Sequence, residues 1–159
     1  MADYEGIPPE VAMLATQLRH VCHVHEALQR IVHELERRAL VHDRSKLSPE
    51  EFPGFARINA TARNFPYGSP EYVASLRAER PTIERHTTNN SHHPEAHQPI
   101  KDMGFLDILE MVCDWYAAAA TYGTSPMDLA KQRGRFDWTP EQWWLIEQVA
   151  SFLSPKVPT

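Results

Sequence analysis

Cysteine is scarce in this sequence, with only Cys22 and Cys113 present and no CxxC pair. That excludes a disulfide framework and a cysteine zinc site. A reduced, cytosolic setting is the expectation. Long apolar runs are also missing. No stretch nears the eighteen or so uninterrupted apolar residues of a membrane-crossing helix. Acids and histidines occupy the first thirty residues, where a secretory signal would need an apolar run, so none is expected. Positive charge is not in excess. The net charge is -5 with histidine neutral, which argues against a protein built to grip long nucleic acid or an anionic membrane. A local basic patch for one nucleotide fits that balance. Strand-like alternation, internal repeats and low-complexity linkers are absent as well.

What remains is helical periodicity. The chain has 159 residues, 42% hydrophobic and 23% charged, which suits one globular domain. Val11, Leu14, Leu18, Val21, Leu28, Val32 and Leu35 recur at alternating steps of three and four, with His25 filling the one polar slot. This spacing predicts an amphipathic helix. Pro8 and Pro9 precede it, and Arg37 and Arg38 suit its C-terminal end. Ser48-Pro49-Glu50-Glu51 reads as a capped helix start, with Glu51 reaching back as a capping box. Asn64 to Ser69 reads as a loop, and Ser69-Pro70-Glu71 opens another helix that Pro81 interrupts or follows with a new one. Thr87 to Pro99 reads as a loop or broken helix. Met103 to Tyr122 predicts a second long helix, stopped by Gly123. A short helix is expected after Ser125-Pro126. A last one opens with a capping box at Thr139-Pro140-Glu141-Gln142. The expected fold is all-α, a single domain over 1–159 of six or seven helices.

Histidine is the abundant residue. Most of the nine lie in two clusters, His20, His23, His25 and His86, His92, His93, His97. Clustered imidazoles point to metal ligation. Between the clusters stands His42-Asp43, an adjacent pair near the end of a helical run. Neighbours diverge in mid-helix, but at a helix end both can turn inward. A mixed histidine and carboxylate set suits Mn, Fe, Co, Ni or Zn better than Ca. Asp107, Glu110 and Asp114 share one face of the second long helix, by their spacing of three and seven. Asp107 or Glu110 then orients a ligand histidine. Arg85 and Lys101 are candidate phosphate contacts. Trp143-Trp144 reads as core or interface, and Cys22 and Cys113 as packing residues.

His20, His42-Asp43-Arg44-Ser45-Lys46, Asn90-Ser91-His92-His93-Pro94-Glu95 and Cys113-Asp114-Trp115 together resemble the HD superfamily of metal-dependent phosphohydrolases. They look closest to a small HD-related family common in bacterial viruses. The resemblance implies one metal on His20, His42, Asp43 and Asp114. Beside these ligands, Asp43, Lys46, His86 and Glu110 read as candidate catalytic residues, and Lys46, Arg85 and Lys101 as candidate substrate contacts. One branch adds a histidine and a His-His pair for a second ion. Here His86 and His92-His93 fall in that interval, though without the branch's Gly-Tyr-Pro signature. His86, His92 and His93 thus read as second-metal ligands, as proton donors or phosphate binders, or as loop residues. The implied activity is hydrolysis of a small phosphorylated substrate, a (deoxy)nucleotide, by metal-activated water. A homodimer is admitted and no membrane is involved. Two other readings stay open: a di-iron oxygenase, and a non-catalytic helical binding protein with a structural metal.

One geometric condition comes with this assignment. On a straight helix, His20 and His42 would stand about 33 Å apart. A reversal is therefore expected between His33 and Ala39, although no Gly or Pro lies there. His23 is the alternative first ligand.

Overall fold

The computed structural model describes residues 6–66, 68–121 and 127–154. Among these residues the structure is all-helical, with seven α-helices and no strand. They are α1 (Pro9–Val41), α2 (Phe52–Ala62), α3 (Pro70–Ala78), α4 (Arg80–Asn89), α5 (Phe105–Thr121), α6 (Leu129–Arg133) and α7 (Pro140–Leu153). Short 3-10 turns cover Arg44–Leu47, Pro94–Ala96 and Ile100–Asp102. None of the helices is long and apolar enough to cross a membrane. The chain divides into two compact units, one ending at Val41 and one beginning at His42.

The first unit is α1. It runs unbroken for 33 residues, so the reversal expected between His33 and Ala39 does not occur. The reason is local: every residue there is a competent helix former, and Glu34 pairs with Arg37 and Arg38 one turn on, at 2.7 and 3.1 Å. His20 therefore lies about 32 Å along the axis from Val41, at 1.5 Å per residue. Val41 is bonded to His42, so within one chain His20 and His42 cannot share an ion. His23 fails for the same reason. The helix buries none of its residues, and Cys22 is exposed rather than packed.

The second unit carries the core. Met111, Val112 and Ile146 are its largest fully buried side chains, contributed by α5 and α7. Met103, Ile108, Trp143 and Ala150 complete the cluster. Thr139 caps α7 with the full capping box expected: its side chain accepts from Gln142 N at 3.2 Å, and Gln142 Oε1 accepts from Thr139 N at 3.2 Å. Trp143 packs in the core while Trp144 is mostly exposed. Ser69 caps α3 as expected, and α4 opens with Pro81 in its first turn. Gly54 of α2 lies so close to Thr82 of α4 that any added Cβ would overlap its side chain. This close approach is what glycine permits there. Asp128 begins α6; the expected stop at Gly123 and start at Ser125-Pro126 lie outside the described residues.

Candidate metal centre

The site begins where α1 ends. Asp43 follows with φ 55° and ψ 13°, the left-handed region that a short polar side chain tolerates better than most. Of order 1–3 kcal/mol of backbone strain is typical of such a position, and it persists only where the surroundings over-determine it. The reversal of backbone hand after His42 lets both members of the pair enter one cluster. The 3-10 turn then brings Ser45 and Lys46 back alongside. Lys46 Nζ donates to Asp43 Oδ2.

Two overlapping donor groups result. Asp43, His86, His92 and His93 form one, and His42, His92 and Asp114 form the other; within each, the ligating atoms lie within 4.8 Å of one another. Both could hold a metal ion. His86 comes from α4 and Asp114 from α5, while His92 and His93 lie on the turn after α4.

Asp43 Oδ1, His86 Nε2, His92 Nε2 and His93 Nε2 are all buried and make no hydrogen bond. Buried polar atoms are rarely left so. Yet Asp43 Oδ1 is only 3.0 Å from His86 Nε2 and 3.4 Å from His92 Nε2. His42 Nε2 is 3.3 Å from Asp114 Oδ1. Ligands about 2.1 Å from a shared ion stand about 3.0 Å apart in octahedral and 3.4 Å apart in tetrahedral geometry. The spacing thus fits lone pairs converging on a cation.

The opposite ring nitrogens are anchored. Ser45 Oγ donates to Glu51 Oε2 at 2.9 Å, and Asn90 Nδ2 donates to Ser45 Oγ at 3.0 Å. Glu51 Oε2 can then accept the Nδ1 proton of His86, 3.0 Å away, which leaves Nε2 as a lone pair. Asn90 Nδ2 also donates to His86 O at 2.7 Å. Glu110 Oε1 lies 2.9 Å from His42 Nδ1 and 3.4 Å from His92 Nδ1. Carboxylates behind ligand imidazoles set the tautomer and raise basicity.

The electrostatics follow from this crowding. The Asp114 carboxylate holds His42 up at about 9, helped by Glu110 and Asp43 and opposed by burial. Burial pushes His93 down to about 3, with the neighbouring His92 and His86 acting in the same direction, so its imidazole is neutral and able to ligate at pH 7. Burial would raise Asp43, but His86, His92 and Lys46 outweigh it and hold the carboxyl well below the usual range. Burial likewise would raise Asp114, but His42 outweighs it and holds the carboxyl below its usual value.

Of the residues singled out in the sequence, the structure brings together His42, Asp43, Lys46, His86, His92, His93, Glu110 and Asp114. It leaves out His20 and His23. Arg85 and Lys101 are exposed and belong to neither donor group. Glu51 departs from its expected place. Ser48 Oγ does accept from Glu51 N at 3.3 Å, but the Glu51 side chain turns to Ser45 and His86 instead of closing a capping box. Ser45 and Asn90 stand in the motifs quoted from the sequence but were given no role there, since their partners are some 41 to 45 residues away or arrive only with the fold.

The chain belongs to a family described only as a family of unknown function (DUF5662), whose model matches residues 10–157. No curated protein and no solved structure matches it.

Proposed function

We propose that this protein is a metal-dependent phosphohydrolase of the HD type that cleaves a phosphate ester or anhydride of a small substrate, a nucleotide. The observation that carries the reading is the convergence of four buried acceptor atoms, from Asp43, His86, His92 and His93, with no hydrogen-bond partner. Three histidines supplement the His-Asp pair where His20 had been expected to do so. The donor set, rich in imidazole nitrogen, favours Mn, Fe, Co, Ni or Zn over Mg or Ca. His92 belongs to both groups, and its one unprotonated ring nitrogen can serve an ion in either of them. Such ions lower the pKa of bound water and offset phosphoryl charge.

The chain's own residues do the rest. Glu51 and Glu110 hold the imidazole rings in register. Lys46 steadies Asp43 and, being partly exposed, can also meet a phosphate oxygen. Its ammonium sits 5.1 Å from the centroid of the Phe55 ring, and Phe55 packs edge-on to His86 at 5.2 Å. Beside them lies a cleft of about 370 Å³ lined by Lys46, Leu47, Phe52, Phe55, Asn59 and Arg63. Two aromatic rings and two cations around one cleft suit a flat base with phosphate attached.

The test is metal analysis of the purified protein with a phosphate-release screen over nucleoside mono- and triphosphates. Asp43→Ala should lose both metal and turnover; retained turnover in that variant would refute the assignment. The paired donor groups also favour a second reading, a di-iron oxygenase. Iron content with oxygen consumption would select that reading, whereas phosphate release without oxygen would select hydrolysis.

A further inference from the structure

The most conspicuous surface outside the metal centre is α1. Val11, Leu14, Leu18, Val21, Leu28 and Val32 lie on one stripe and are each between 41% and 57% exposed. Val24 and Ile31 widen that stripe and are exposed to a similar degree. The exposed stripe is about 32 Å long from Val11 to Val32, and Leu35 continues it half-buried. An amphipathic helix derives most of its stability from covering such a face. The spacing is a strict heptad, with Val11, Leu18, His25 and Val32 in the first core position and Leu14, Val21, Leu28 and Leu35 in the second.

We infer that a second copy of this chain covers this face, with the two α1 helices antiparallel. The stripe is self-complementary in that direction. With a twofold axis near His23, Val11 layers against Leu35 of the second copy, Leu14 against Val32, Leu18 against Leu28, and Val21 against His25. Every layer then pairs a first-position residue with a second-position one, as antiparallel coils require. The outer flanks agree in charge, while Gln17 falls beside Ile31 further in. Glu10 comes beside Arg38 of the second copy, a guanidinium that its own Glu34 also holds at 3.1 Å, and Val24 meets its own equivalent across the axis. A parallel pair would instead set Glu10 beside Ala15 and stack His25 on His25, losing the charge match. The register thus selects the antiparallel pair by charge complementarity at both ends.

The experiment is sedimentation equilibrium of the full chain at micromolar concentration. The expected mass is twice 18.2 kDa. A monomer would overturn the inference, because the face would then be covered from within the same chain. The double variant L18E/L28E should sediment as a monomer while still binding metal, since all proposed ligands lie beyond residue 41. A dimer of that variant would also overturn it. Direction is read by disulfide formation in a C22S background. Mixing L14C chains with V32C chains should give mainly the mixed disulfide. A predominance of L14C–L14C and V32C–V32C products would refute the antiparallel arrangement.

Discussion

Helix α1 and the segment from His42 to Asp114 treat polarity in opposite ways. In α1 the apolar residues are laid out with near-ideal periodicity, and none is buried. In the site the most deeply buried side chains are polar: Glu51 is 3% exposed, His86 2% and His92 4%. An apolar stripe left open calls for something to cover it. Imidazoles and carboxylates closed off from water must satisfy one another or hold an ion. The lesson is that exposure read against residue type locates unfinished surfaces, outward in one region and inward in the other.

Four substitutions would break or sharpen the contrast. The largest effect is expected in the core. Ile146→Ala should cost about 2–5 kcal/mol, because Ile146 is fully buried and its deletion leaves a cavity. Leu18→Ala in α1 should leave the stability of the second unit unchanged. Tryptophan fluorescence separates the two outcomes during urea unfolding, since Trp115, Trp138, Trp143 and Trp144 all follow residue 41. Equal losses in the two variants would erase the distinction drawn between the regions.

A smaller effect is expected behind the metal ligands. Glu51→Gln keeps the shape but removes the carboxylate that accepts from Ser45 and faces His86 Nδ1. Metal affinity should fall about 10- to 100-fold, as for other residues that orient ligand imidazoles. Competition titration with a chelator measures this, and an unchanged affinity would show that Glu51 serves packing alone.

The smallest effect lies on the surface of α1. Arg37 draws Glu34 down to about 2 from 4.5, opposed by burial and helped by Arg38. A depressed carboxylate contributes helix stability at neutral pH that disappears as pH falls from 4.5 towards 2. Far-UV circular dichroism should record a slight helix loss over that window, absent in Glu34→Gln. The exposed position keeps the effect small.

Much of this was legible in the residues. The periodicity of α1, the caps at Ser69 and Thr139, and the stripe of α5 are written in spacings of three and four. His42, Asp43 and Asp114 stood out as donors, and His86, His92 and His93 as candidates with several roles. The error at His20 has a physical source. Periodicity reports which face a residue occupies, not whether the helix turns back before the next ligand. Glu51 was legible only as a cap, because its neighbours Ser48 and Pro49 are local whereas His86 is 35 positions away.

Local stereochemistry, acting over one or two turns, was enough to decide the all-helical class, the capped ends and the supply of imidazoles and carboxylates. Only the tertiary structure decided which of those donors meet. Their convergence depends on the left-handed turn at Asp43 and on hydrogen bonds closing between α4, α5 and the Ser45 turn. Such bonds join residues tens of positions apart, and their geometry exists only once the backbone has already been brought together.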